Sequence, residues 1–559
     1  MKRVIGIILA VVVAVPLAIS PAAAWDFSAS GAFVWEYEYF SQGGTNGFFG
    51  PHNVNNDVTI PILTRPYNLN FWVKGNAIDS QVSGLDAAWS TQWMAIDTKI
   101  RINKAVRIEG NFYIGEWLNS NADGELVASE YFNSRFGGIQ RSFSPLYVNW
   151  LTLKAKFPFG NVSVGKRPSR FGMGLFKSGD ENSSSESCSL GVPYGPFRMG
   201  LSFYPARRGS ESYTDFIDKT GNRDLQFEHS VLYQGCNFDM GYLMGHVIRH
   251  RGSEQEIPNT DTRDRTDLFW GAYFKYNNGH FFLNAEYINY GRLDRIYRFD
   301  SNNPGANLLT VDGRRYEDNE VEQWAVELGS FFGPTKVTGI YGRASGPDRR
   351  HPWQDNSGNW HSLFKDNRMR DITGNASTTL VFMPYSFLMV YSYGLGTEMV
   401  TQTGRGQVEG ASVWGGRADY AVASNLNAFG TFFYATRPDK GYGWGYLYPD
   451  VSLDNGAVVY GGIDRAIGGR SGRAPAIPDD SLGWEVDLGV DWKLLEGYQI
   501  TMTFAYWEPG NWFKYACLDK ANPQWNNPTA HSWNNLWGTN PTKSIDPVYG
   551  CNILITGEF

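Results

Sequence analysis

The sequence predicts an all-β chain closed into a transmembrane antiparallel barrel of about 18 strands, with short turns at one end and long loops at the other. Three observations predict it. Runs of 10 to 14 residues alternate apolar and polar, the period-two signature of a strand. Very short turns join these runs in pairs, and long polar segments join one pair to the next. Aromatic residues reach 15% of 559 while mean hydropathy stays at −0.36, so the chain is polar overall yet carries many rings.

Composition excludes other classes. There are 49 basic and 56 acidic residues, a net charge of −7, so the basic footprint of a nucleic-acid binder is missing. Past the N-terminus no apolar run approaches the roughly 20 residues that a spanning helix needs. The aromatic content argues against disorder. Glycine, 63 residues, stands at about 11% against a usual roughly 7%.

Lys2 and Arg3 precede an apolar run, 4–19, and Ala22-Ala23-Ala24 supplies small residues for cleavage. Residues 1–24 therefore read as a secretory signal peptide, and 25–559 as one barrel with no separate soluble domain.

The strands follow in order. A first strand is expected at 28–40. Hairpins are expected at 89–102 with 106–118, 145–157 with 161–174, 225–234 with 237–250, and 266–276 with 280–293. The last of these turns on Asn277-Asn278-Gly279, a strong hairpin signal. Further hairpins are expected at 320–332 with 336–345, 373–382 with 386–396, 410–422 with 426–436, and 482–494 with 498–508. A final strand at 549–559 completes 18. The clearest alternation is Leu482, Trp484, Val486, Leu488, Val490, Trp492 and Leu494 on one face. Gly483, Glu485, Asp487, Gly489, Asp491 and Lys493 form the other. Strands this long suit a bilayer, which needs about 9–11 tilted residues, better than a soluble sandwich. Closure follows because lipid offers no partner to an open edge. Trp270, Tyr276, Phe281, Tyr287, Trp324, Phe332, Phe432 and Tyr434 fall on the apolar faces, as interfacial aromatics do.

The signal peptide, the alternating strands and the ending Ile553-Leu554-Ile555-Thr556-Gly557-Glu558-Phe559 resemble those of Gram-negative outer-membrane porins. The strand number is also similar to that of substrate-specific channels and alginate-export barrels. The resemblance implies location in the bacterial outer membrane, contact with its lipid and lipopolysaccharide, and Phe559 as a signal to the barrel-assembly machinery. A homo-oligomer is compatible with it.

With the apolar set facing lipid, the alternate positions face the lumen. The expected pore-lining residues are Asp97, Lys99, Arg101, Arg107, Glu109, Lys154, Lys156, Arg167, Glu286, Glu327, Arg417, Asp419, Glu485, Asp487 and Asp491. Two readings stay open for the charges. They pair with one another across a solvated wall, or Lys99, Arg101, Arg107, Lys154 and Lys156 form a basic ladder whose field favours anions. The segment 175–224 is also open: it folds inward as a constriction, adds a hairpin, or caps the outside.

Cys517 and Cys551 are expected on the loop side, joined by a disulfide, while Cys188 in an outer loop and Cys236 in an inner turn stay unpaired. No motif for hydrolysis, haem attachment or zinc is present, so no enzyme activity, cofactor or metal is expected. The function expected is passive diffusion of small hydrophilic solutes or ions. The rivals are a substrate-specific uptake or export channel, for example for an acidic polysaccharide, and a structural or adhesive barrel with a sealed lumen.

Overall fold

The computed structural model describes residues 26–42, 85–120, 126–128, 146–175, 177, 185–204, 223–250, 265–292, 296–300, 307–308, 320–344, 353–354, 360–365, 381–392, 408, 410–437, 451–452, 458–459, 479–512 and 547–559. Eighteen of its strands close into a barrel: β1 (Asp26–Gln42), β2 (Leu85–Arg101), β3 (Val106–Ser120), β4 (Leu146–Phe157), β5 (Gly160–Arg167), β6 (Ser185–Tyr194), β7 (Phe197–Tyr204), β8 (Arg223–Gln234) and β9 (Phe238–His250) make the first half. The second half is β10 (Arg265–Asn277), β11 (Phe281–Arg292), β12 (Glu320–Phe332), β13 (Thr335–Ala344), β14 (Ala411–Ala423), β15 (Leu426–Thr436), β16 (Ser481–Leu495), β17 (Tyr498–Pro509) and β18 (Val548–Glu558). Each pairs antiparallel with its neighbours, and β1 pairs with β18 from Ala32↔Glu558 to Ser41↔Tyr549. Gly31 and Phe559 exchange two backbone hydrogen bonds, 2.9 and 3.0 Å, at one end of this seam. Small strands elsewhere, such as Ile296–Asp300 paired with Trp360–Lys365, lie in the long connections.

The expected strand number stands, but two hairpins change places. The described part of the segment expected as 373–382 with 386–396, residues 381–392, forms no hairpin: Met383–Tyr385 is a short 3-10 turn and Phe387–Ser392 a wide helical turn. Pro384 lacks the N–H a ladder needs. Phe387 to Val390 are all buried, so this run does not alternate. Residues 373–380 lie outside the described residues. The replacement is β6–β7, inside the segment 175–224, turning at Gly195 with φ +58°. Its period-two signal was present: Met199, Leu201 and Phe203 alternate with Arg198, Gly200 and Ser202. The strands are only 10 and 8 residues long, at or below the lower end of the expected range, and they settle the open reading of 175–224 in favour of an added hairpin.

The two faces follow the alternation. On β16, Trp484, Leu488 and Trp492 are exposed to the outside at 38%, 63% and 40%, whereas Glu485 and Asp487 are buried inside. All eight aromatics assigned to the apolar face point outward, opposite buried inward neighbours such as Phe269, Ile288, Ala325 and Phe433. They belong to two girdles. Near the long loops, Trp324, Tyr341 and Trp414 make contacts of 4.9 and 3.8 Å between ring centroids, and Trp484, Tyr506 and Tyr549 continue the band at 5.4 and 5.1 Å. Near the short turns, Phe197 meets Tyr233 edge-on and Tyr233 stacks on Phe238, both at 5.1 Å, with Tyr276 and Phe281 beyond. On β16 the girdles are marked by Trp484 and Trp492, eight residues or roughly 27 Å of strand apart. With barrel tilt this matches an apolar band of about 25 Å.

Inside, glycine and aromatic content share one cause. Gly241 faces Tyr273, Gly245 faces Phe269, Gly329 faces Phe282 and Gly489 faces Phe429, each as direct cross-strand partners. A Cβ at any of these glycines would strike the partner's ring. The ring covers the bare glycine backbone, which steadies a strand that glycine alone would weaken.

Leu488 sits midway between the girdles, facing lipid. Leu488→Arg is expected to lower the unfolding free energy in lipid vesicles by about 2–4 kcal/mol, while Leu495→Arg, beyond the lower girdle, costs about 0–1 kcal/mol. Denaturant titration followed by Trp fluorescence measures both, and equal losses would contradict the placement of the bilayer.

Candidate functional site

The lumen is built from the inward positions of the strands plus two segments that fold into it. The first is 168–177. Pro168 ends β5, and the chain then turns inside: Phe171 N–H bonds Lys177 O and Gly174 N–H bonds Phe171 O, both at 3.0 Å. Phe171 and Leu175 are buried, and Phe171 meets Tyr273 edge-on at 4.9 Å. Gly172 has φ +55° and lies so close to Glu286 and Tyr273 that a side chain there would collide with both. Glu286 Oε2 accepts the successive N–H groups of Met173, Gly174 and Leu175 at 2.6, 3.0 and 3.3 Å. Lys177 Nζ is paired with Glu228, and donates to Tyr204 Oη at 3.1 Å. Burial alone would lower the Lys177 ammonium, but the carboxylate of Glu228 and the Tyr204 hydroxyl together hold it above its ordinary value.

The second segment is 381–392. Phe382, Tyr385, Phe387, Leu388, Met389 and Val390 are all buried against the inner wall. The wall is hollowed to receive them. A Cβ at Gly342 would press on the Phe382 ring, one at Gly415 on Tyr385, and one at Gly550 on Leu388. Polar contacts fix the segment in register. Leu388 N–H donates to Glu485 Oε1 at 2.6 Å, and Met389 N–H and Ser386 Oγ donate to Glu485 Oε2, both at 2.7 Å. Phe387 N–H reaches Asp487 Oδ2 at 3.0 Å, as does the Thr431 hydroxyl. Tyr385 Oη donates to Glu327 at 2.6 Å, and Arg417 donates to the Pro384 carbonyl at 3.0 Å.

The structure thus separates the expected pore-lining residues into groups. Glu286, Glu485 and Asp487 face inward but lie beneath the inserted segments, between 0% and 2% exposed. Glu327 joins Asn284 to Tyr385, and Arg417 is held by Asp419 through two nitrogens while it lies 4.0 Å over the Phe429 ring. Asp491 accepts from Thr501 at 2.8 Å and approaches Arg417 at 3.8 Å. The period-two spacing marks the face of these residues but not their cover, because the covering run reads as strand.

The second group sits on β2–β5. Arg101, Arg107 and Lys154 stand side by side in register across three strands. Their counter-charges are local: Arg101 with Asp26 at 3.6 Å, Arg107 with Glu109 at 2.6 Å, and Lys154 with the same Glu109. Asp97 accepts from Asn111 at 2.9 Å. Among the described residues, Lys99 and Lys156 make no ion pair. Arg167 ends β5 opposite Ser185. The basic strip extends beyond the expected residues, with Arg198, Lys275 and Lys336 near the short turns. Lys275 lies 5.6 Å over the Tyr273 ring and Lys336 5.1 Å over Phe282, and Arg198 faces inward opposite Leu232 in register.

Cys188 departs from its expected place. Cys188 lies within β6 opposite Phe203, facing outward between the buried Ser187 and Ser189, not in a loop. Cys236 is exposed in a short turn, as expected. Cys551, expected in a disulfide with Cys517, faces outward in β18 in register with Phe504 and is a free thiol among the described residues. Cys517 lies outside the described residues, as do residues 1–24.

No family model and no curated protein matches this chain. Among solved structures it is similar to the outer membrane protein OpdK of Pseudomonas aeruginosa (9% identity, TM-score 0.42, covering 95% of this chain and 98% of that one). It is similar also to a BenF-like porin from Pseudomonas fluorescens Pf-5 (9%, 0.43, 95% and 98%). A third is OccK2 (OpdF) of Pseudomonas aeruginosa (9%, 0.43, 96% and 99%).

If the glycine hollows seat the second segment, filling one must dislodge it. Gly550→Leu is expected to keep the barrel folded yet make the 381–392 segment cleavable by a protease added to folded protein. Unchanged resistance there would contradict the packing.

Proposed function

We propose that this protein is a porin-like channel of the bacterial outer membrane that lets small hydrophilic solutes diffuse down their own gradient. The observation that carries the reading is a closed barrel with an apolar, girdled outside and a polar, charged inside narrowed by two inward segments. Such a wall replaces part of a solute's hydration shell, and the narrowest radius decides size. Export with loss of residues 1–24, and assembly directed by Phe559, fit this reading and are part of the proposal.

The charges suggest a preference for anions. The acids Glu286, Glu485 and Asp487 are consumed by the inserted segments and add little field to the open lumen. Over β1–β13, Lys99, Arg101, Arg107, Lys154, Lys156, Arg198, Lys275 and Lys336 lie toward the short turns, against Asp26, Asp97, Glu109 and Asp239. A wall of one prevailing sign beside low-dielectric surroundings concentrates the opposite ion. The net charge of −7 does not oppose this, because local charge governs a pore.

Purified protein in a planar bilayer is expected to pass discrete ionic currents. Absence of current in every salt would refute the channel. Under a KCl gradient the reversal potential is expected to favour chloride, and Lys99→Glu with Lys156→Glu to shift it toward potassium. A cation preference in the unmodified protein would overturn the anion reading.

A further inference from the structure

The two inserted segments come from different parts of the chain and share no sequence, yet each is held in the same way. We infer that Glu286 and the Glu485–Asp487 pair are positioning residues that set the bore of the channel by clamping main-chain N–H groups of the inserts. The inference rests on the channel reading and deepens it.

In each case the wall supplies the acceptor and the insert supplies consecutive backbone donors. Glu286 of β11 takes the amides of residues 173, 174 and 175 on one oxygen. Glu485 and Asp487 of β16 take the amides of 387, 388 and 389 on three oxygens. Successive N–H groups pointing into one concavity make a nest for negative charge. A buried carboxylate needs several donors to offset its desolvation, and a buried turn needs acceptors for its N–H groups. Each partner therefore satisfies a requirement the other cannot meet alone. The clamped residues Met173, Leu175, Phe387, Leu388 and Met389 carry apolar side chains, so the polar hold is on the main chain. What locates the inserts is then where the wall places its carboxylates. The same arrangement explains why three acids of the inner wall are removed from water.

The atoms separate this role from mere packing. On Glu286 a single oxygen receives all three amides, and a glutamine retains one such oxygen. On Glu485 both oxygens are used, Oε1 by Leu388 and Oε2 by Met389 and Ser386, and a glutamine would turn a donor toward one of these donors. Glu286→Gln, which keeps one accepting oxygen but loses the charge, is therefore expected to raise single-channel conductance less than Glu286→Ala does. Glu286→Ala, Glu485→Gln and Glu485→Ala are expected to raise it and add open-channel noise. Identical behaviour of Gln at both sites would contradict the atomic assignment.

A second measurement does not depend on conduction. Amide hydrogen exchange of the folded, full-length protein is expected to show protection at 173–175 and 387–389, with exchange at 388 and 389 accelerated by about tenfold or more in Glu485→Ala. Fast exchange of both sets in the unmodified barrel would overturn the clamps even if a variant failed to fold. A protein that carries no current but shows this exchange pattern would refute the channel and retain the clamps. Normal current with unprotected amides would do the reverse.

Discussion

Lipid gives a strand nothing to bond with, so an unpaired edge inside a bilayer leaves a row of N–H and C=O groups each costing several kcal/mol. The seam between β1 and β18 is where this chain meets that constraint. Its ten paired positions run from Ala32↔Glu558 to Ser41↔Tyr549, and inside it Asn552 donates to the buried Glu36 at 2.8 Å. Once the ring is closed, every strand residue has only two directions, out to lipid or in to the lumen. The alternating sequence, the girdles and the polar interior all follow from that division.

Closure also creates a problem inside. A ring of 18 strands encloses far more space than side chains on its own wall can fill. This chain fills part of it with its own long connections. That requires room at the wall, which Gly342, Gly415 and Gly550 provide, and acceptors for backbone brought out of water, which Glu286, Glu485 and Asp487 provide. Features that look unrelated in the sequence, glycine abundance and inward carboxylates, are two parts of one solution. On the short-turn side, Lys99 and Lys156 make no ion pair among the described residues.

Much of this was legible in the sequence because membrane strands obey a strict period. Trp484, Leu488 and Trp492 could be placed outside, and Glu485 and Asp487 inside, from spacing alone. What failed was any step that needed three-dimensional occupancy. Phe387-Leu388-Met389-Val390 is apolar enough to pass for a lipid-facing strand, and only its lack of alternation and Pro384 argued otherwise. The hairpin β6–β7 stayed one of three open readings of 175–224 because its inward residues are Ser and Gly, which lower the contrast between faces. Arg198, Lys275 and Lys336 alternate correctly with outward residues, so the wider basic strip was readable, but its members come together only through the ring of strands.

The central claim is a water-filled bore whose width is set by an inserted segment, and solute uptake into liposomes tests it most directly. Protein with residues 381–392 replaced by a short Gly-Ser linker should admit sugars too large for the unmodified barrel, while both forms admit the smallest ones. An identical size limit in the two forms, or no swelling with any solute, would contradict the account.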